Sequence, residues 1–280
     1  MGELWAVAWE TLVIAPRMEN QAKRVGMGRK IGLRYLVIVE PVGARTSNRA
    51  AWKGYYMVTR IKTLLKGIPV LGAFLMHLRR RPFKSSADYW ERRYRDGGHS
   101  GGGSYNRLAE FKADFLNKFV DEHQIASVIE YGSGDGAQLQ LARYPNYLGV
   151  DVSLKAIEMC RNIFAGDSSK GFIHSDAMKP GTTADLSLSL DVIYHLIEDL
   201  VFEAYMRQLF ESARRFVIVY SSNVHEPWPA KHVRHRNFTS WVEQNKPEWV
   251  LQFKTRNAYP YDVADPEQTS FADFYVFAPR

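Results

Sequence analysis

The stretch IEYGSGDGAQL, residues 129–139, sets three glycines at alternate positions, Gly132, Gly134 and Gly136, behind a short apolar run and a carboxylate, Glu130. Glycine has no Cβ, so such a turn lets the backbone approach a ligand, and a helix opening behind it would offer its N-terminus. Glu130 stands two positions before the first glycine, at a strand end. A carboxylate there suits the ammonium of a zwitterionic amino acid and would be poorly placed beside a pyrophosphate. Asp151 follows Gly132 by nineteen residues and ends a second apolar run, NYLGVD, where an acid binds a ribose diol. Asp176, in HSDAM, lies just past a third run, where an acid can accept from an adenine amino group.

The elements that must position these residues alternate along the chain. SVIEYG, NYLGVD, GFIHSD, ADLSLSLD and RFVIVYSS read as short buried strands. QLQLARY, SLKAIEMCRNIFA (capped by Ser153) and LVFEAYMRQLFESAR read as the helices between them. Ahead of the first strand, SADYWERRYRD reads as a helix, GGHSGGGSY as a glycine-rich loop, and NRLAEFKADFLNKFVDEH as an amphipathic helix with Leu108, Phe111, Phe115, Leu116 and Phe119 in one stripe. Two strands, EWVLQFKTRNA and FADFYVFAP, close the chain. This βαβα order predicts a parallel sheet covered by helices on both faces. The glycine turn alone fits two cofactors, because GSGDGA also satisfies the dinucleotide pattern and Asp151 would hold a ribose in either case. A nicotinamide-dependent oxidoreductase is therefore the rival enzyme reading, with Glu130 and the two-strand finish against it.

With these motifs in order, from VIEYGSGDG through LGVD, HSDAM, LSLDVIYHLIED and RFVIVYSS to the final strands, residues 86–280 resemble the class I S-adenosylmethionine (SAM)-dependent methyltransferases. The resemblance implies a Rossmann-like, seven-stranded, mostly parallel sheet whose last strand is antiparallel, and SAM as cofactor. It implies that Gly132, Gly134 and Gly136 pass under the methionine part and Glu130 lies near its amino group. It also implies that Asp151 holds the ribose hydroxyls, that Asp176 with Ala177 frames the adenine, and that Asp191 borders the methyl group and substrate. The segment YWERRYRDGGHSGGGSY resembles the lid of small-molecule methyltransferases, notably ones acting on bacterial surface sugars. The expected reaction is methyl transfer to a small acceptor, a hydroxyl of a sugar or glycan precursor. His195, after the fourth strand, is the candidate general base; its competing reading is a packed structural histidine. His225, His232 and His235, with Lys231, Arg234 and Arg236, suggest a binding insert for an anionic or sugar ligand rather than a metal site.

Composition bounds the rest. The chain of 280 residues has one cysteine, Cys160, which excludes an intramolecular disulfide framework and a cysteine zinc cluster. Residues 1–87 hold sixteen Lys/Arg against four Asp/Glu, and residues 41–87 hold ten with no acid, so a basic extension (1–84) precedes the methyltransferase-like region (85–280). Residues 57–78 add helical apolar spacing, interrupted at Pro69. A basic amphipathic segment of this kind suits an anionic membrane face, which makes a membrane-docking protein with a non-catalytic Rossmann-like domain the rival from another class. Nucleic acid is a poorer fit, for want of a recognised module. The opening residues lack a basic n-region and do not read as a signal peptide; Met18, Met27 and Met57 are alternative starts. The expected location is cytoplasmic, with peripheral contact at the inner membrane face.

Overall fold

A computed structural model describes residues 83–280; the basic segment and its amphipathic stretch, apart from Phe83 to its C-terminal end, lie outside the described residues. The described residues form a seven-stranded sheet. Its strands are β1 (Val128–Tyr131), β2 (Tyr147–Asp151), β3 (Lys170–His174), β4 (Ala184–Leu190), β5 (Ala213–Ser221), β6 (Trp249–Thr255) and β7 (Asp273–Pro279), in the order β3-β2-β1-β4-β5-β7-β6. β1 to β5 pair in parallel, whereas β7 runs antiparallel to both β5 and β6. This is the Rossmann-like topology that the resemblance implies.

Alternate residues of the central strands feed two cores, one on each face of the sheet. Val128, Leu186, Leu188, Ile218 and Tyr220 pack with Leu116, Phe119 and Val120 of α2 (Asn106–Glu122) and with Ile157 and Cys160 of α3 (Leu154–Ile163). Ile129, Tyr131, Val217 and Val219 pack with Phe202, Met206 and Leu209 of α4 (Asp199–Glu211) and with Trp241 and Val242 of α5 (Phe238–Asn245). The helix expected over QLQLARY is instead a single 3-10 turn, Gln138–Leu141, after which Ala142 is extended. Pro145 three residues on disfavours a helical Tyr144, and one turn is all the segment has room for.

The remaining helix, α1 (Ser86–Arg95), crosses the carboxyl ends of the strands. Its N-cap Ser85 accepts from the Asp88 amide. At one end, Ser86 donates through its amide and hydroxyl to Glu198, just before α4 (3.0 and 2.7 Å). Further along, Glu91 accepts from Ser153 Oγ (2.7 Å) and the Lys155 amide at the start of α3. α1 is thus tied to helices belonging to opposite faces of the sheet, and bridges the crevice where β1 neighbours both β2 and β4. In open α/β sheets that switch point is where ligands bind.

Candidate functional site

The turn after β1 carries Gly132, Gly134 and Gly136 at φ of +85°, +58° and +79°, left-handed values that side chains disfavour. It is held to the end of β2: the Gly132 amide donates to the Val150 carbonyl (2.7 Å) and the Gly134 amide to Asp151 Oδ2 (2.9 Å). The neighbours that exclude a Cβ here belong to the protein itself. At Gly134 a Cβ would meet the Ser100 hydroxyl and lie 3.1 Å from Tyr94 Oη; at Gly136 it would lie 3.1 Å from Cys160 Sγ and 3.0 Å from Phe164. The turn is therefore shaped by α3 behind it and by the glycine-rich loop in front. Because it leads into a one-turn 3-10 helix, the expected helix N-terminus behind it is absent.

That loop, predicted as a lid, lies across the turn. Ser100 donates its amide to Asp135 Oδ2 (2.8 Å) and accepts from the Asp135 amide through its hydroxyl (3.0 Å). Tyr105 Oη donates to the same carboxylate oxygen (2.6 Å), and Tyr94 Oη shares a hydrogen bond with Ser100 Oγ (3.0 Å). Two oxygen–nitrogen contacts and a phenol on one aspartate make Asp135 the latch between loop and turn. Nothing in the GSGDGA pattern marks Asp135, which occupies one of its variable positions.

Glu130, on β1, is buried and accepts one hydrogen bond, from Tyr147 Oη (2.8 Å). Burial raises its pKa to about 7, against the opposing pull of Tyr147 and the Lys112 charge. Asp151, ending β2, accepts from the amides of Ser153 (2.8 Å, Oδ1) and Gly134 (Oδ2). Burial raises its pKa too, while these amides lower it. Each oxygen keeps a lone pair for another donor. Asp176 sits on the turn Ser175–Ala177 with its side chain 91 % exposed, its nearest partner being His174. Ala177 shares that turn at the end of β3.

Asp191 follows β4 at φ +61°, a conformation Asp tolerates better than most residues. Both of its oxygens are engaged: Oδ2 accepts from Lys112 Nζ (2.6 Å) and Oδ1 from Tyr194 Oη (2.7 Å). Each of its oxygens thus meets a donor, one of them the lysine. His195, in the turn Ile193–His195, is half-buried; its ring meets Trp90 edge-on (4.9 Å between centroids) and lies parallel to His232 (5.6 Å). Its Nδ1 is 2.9 Å from the His232 carbonyl. A carbonyl only accepts, so Nδ1 carries the proton and Nε2 the lone pair. Desolvation draws its pKa down to about 4, so the ring is neutral near pH 7.

Part of the basic insert after β5 is engaged within the protein. Arg234 and Arg236 donate to the Leu196 and Ile197 carbonyls and pair with Asp199 (2.9 and 2.8 Å), fixing the turn that carries His195. His235 shares a hydrogen bond with Ser222 Oγ (2.7 Å), and His232 stacks on Tyr89 of α1 (4.4 Å). Among the described residues no group of three or more His, Cys, Asp or Glu side chains is arranged to hold a metal ion.

Lys112 is the residue the periodicity hid. It sits on α2 between Leu108 and Leu116, at 1 % exposure, in a stripe that reads as purely apolar. A lysine at a core position of an amphipathic helix was the available signal. Tyr94, Ser100, Tyr105 and Asp135 left no comparable mark, because their roles depend on how the loop folds back.

Fold and site together define a doubly wound α/β protein whose glycine turn, strand-end acids and overlying lid meet at the switch point. No protein-family model matches the sequence, and neither does any curated protein. Among solved structures, the N-methyltransferase NodS from Bradyrhizobium japonicum in complex with S-adenosyl-l-homocysteine matches with a TM-score of 0.57 at 13% identity, over 70% of this chain and 99% of that one. Magnesium protoporphyrin IX methyltransferase (ChlM) from Synechocystis with bound SAM matches with a TM-score of 0.48 at 18% identity, over 69% and 90% of the two chains. A putative O-methyltransferase from Klebsiella pneumoniae gives 0.47 at 13% identity, over 78% and 99%. The chain has the class I methyltransferase fold.

Proposed function

We propose that the protein is a SAM-dependent methyltransferase acting on a hydroxyl of a small acceptor, a sugar or glycan precursor. The observation that carries the cofactor reading is Glu130. Glu130 is a buried carboxylate that accepts one hydrogen bond from a neutral donor and has no ion-pair partner among the described residues, and the methionine ammonium would supply one; a pyrophosphate in the same place would be repelled. The fold likeness supports this reading, and so do the spare lone pairs of Asp151, which suit a ribose diol. Asp176 and Ala177, at the end of β3, border the adenine.

Bound SAM supplies an electrophilic methyl on a sulfonium, so the protein's task is positioning and proton removal. His195 Nε2 would take the acceptor's hydroxyl proton as the acceptor oxygen receives the methyl group that bound SAM would supply. Nδ1, bonded to the His232 carbonyl, fixes the tautomer and stabilises the charge that develops on the ring. Asp191, held by Lys112 and Tyr194, shapes the mouth and does not act as the base. α1 excludes water from this mouth through Trp90, and its loop closes over the glycine turn.

The basic segment, residues 41–87, is inferred on its charge pattern to contact anionic lipid from the same side of the membrane as a soluble glycan precursor. Titration calorimetry with S-adenosylhomocysteine and NAD side by side tests the cofactor reading. Binding of the former at micromolar dissociation constant, about −8 kcal/mol, supports it; NAD binding with no heat from the former overturns it.

A further inference from the structure

Lys112 is a buried ammonium whose surroundings leave it incompletely paired. Among the described residues its Nζ donates to Asp191 Oδ2 alone, and its other close neighbour is the Tyr220 ring (5.3 Å). An ammonium has three N–H donors, so two have no acceptor among the described residues. Asp191 takes only one of the three, and its second oxygen accepts from Tyr194. Burying a lysine this way is costly unless its hydrogen bonds are completed, and core positions of α2 would otherwise hold another leucine.

The place is equally specific. Asp191 follows β4, which pairs with β1, Val192 packs against Gly132, and Gly103 of the lid covers Asp191 so closely that a Cβ there would lie 2.8 Å from Oδ2. Lys112 therefore reaches the crevice between the glycine turn, the lid and β4. Its charge also acts on Glu130, on the same face of the sheet. One under-paired cation and one under-paired anion, close enough for the lysine charge to act on the carboxylate, are complementary to an α-amino acid zwitterion.

We propose that Lys112 binds the carboxylate of the cofactor's methionine end while Glu130 binds its ammonium. This rests on the SAM reading and assigns that site's polarity to a residue outside the glycine turn and the strand-end acids. Two free N–H donors match two carboxylate oxygens, and the Asp191 contact holds Nζ in place before the ligand arrives. The pair would also select against nucleotides with a phosphorylated 5′ end, which would meet Glu130 with like charge.

The test is titration calorimetry on the full chain with three adenosine thioethers. S-adenosylhomocysteine carries both charged groups, its decarboxylated analogue S-adenosyl-3-thiopropylamine keeps only the ammonium, and 5′-methylthioadenosine has neither. Lys112→Met should weaken S-adenosylhomocysteine about 10- to 100-fold and leave the other two within about twofold. Glu130→Gln should weaken the first two and spare methylthioadenosine. Lys112→Arg, which keeps the charge, should recover part of the loss. If Lys112→Met weakens all three ligands alike, the lysine only supports the fold and the proposal falls. It falls also if the wild type does not distinguish S-adenosylhomocysteine from the propylamine analogue. If the wild type binds none of the three, the SAM reading itself has failed. Should Lys112→Met unfold because Asp191 is left unpaired, the double variant Lys112→Met, Asp191→Asn removes both charges, and the same differential between ligands is expected.

Discussion

Glu130 ties stability, pH and cofactor affinity together, and Glu130→Gln separates them. Burial lifts its pKa from the ordinary 4.5 to about 7. Between those values the unfolded chain has released the proton and the folded chain retains it. Stability is therefore fully present below pH 4.5 and is lost as pH rises through 7. The loss amounts to roughly 3 kcal/mol, or about 6–12 °C in Tm for a domain of this size. Glu130→Gln keeps an acceptor for Tyr147 and removes the charge, so the apo variant should melt higher than wild type at pH 8 and about equally at pH 4.5. Binding of an ammonium draws on the ionised carboxylate and so runs the other way. Affinity for S-adenosylhomocysteine should weaken about tenfold at pH 6 and about 100-fold at pH 5 relative to its plateau above 7. The plateau ends near pH ~8, where an α-amino group loses its own proton. Calorimetry at pH 6 in two buffers of different ionisation enthalpy should show about one proton released per ligand bound. A flat affinity from pH 5.5 to 7.5, or a Glu130→Gln variant that melts lower than wild type at pH 8, refutes the assignment of Glu130 as an under-compensated anion awaiting a cation.

Asp151→Ala should cost about 1–3 kcal/mol of cofactor affinity in the folded protein, read by calorimetry; unchanged affinity removes it from the ribose site. His195→Ala should lower turnover about 10²–10⁴-fold with cofactor affinity kept. Because its pKa lies near 4, its contribution to stability holds above pH 6.5 and fades as pH falls toward 4, so a kcat/KM limb near 6.5 that vanishes in the variant would show a ring more open to water than the structure has it. Asp135→Ala should release the glycine-rich loop, and limited proteolysis within residues 97–103 should then be fast with or without S-adenosylhomocysteine, whereas wild type is protected; equal protection in both proteins would mean Asp135 is not the latch. The basic segment should bind anionic vesicles, weaken in high salt and retain part of that binding through its apolar face; a full-length protein that ignores such vesicles at low salt removes the membrane contact.

Hydrophobic runs punctuated by turn residues carry their own structure, and so the seven strands, α1 to α4 and the Ser153 cap were legible from the chain. Parallel order followed from the βαβ alternation, since each crossover helix must cover one face. The positions of Glu130, Asp151, Asp176 and Asp191 at or just beyond strand ends were legible for the same reason: where a strand stops is a local property. Burial and pairing were not, because these depend on residues far apart in sequence. Lys112 and Asp191 are 79 positions apart and meet only because α2 packs over the β1–β4 junction. Ser100 and Asp135 meet only because the loop after α1 doubles back onto the glycine turn. Arg234 and Arg236 look like ligand-binding cations along the chain, and only the folded return of their segment turns them onto carbonyls of the His195 turn. Local pattern determined which elements form and which residues end them. The tertiary packing decided which charges are buried, which are paired, and which are left to be completed by a ligand, because desolvation and hydrogen bonding act across space rather than along the chain.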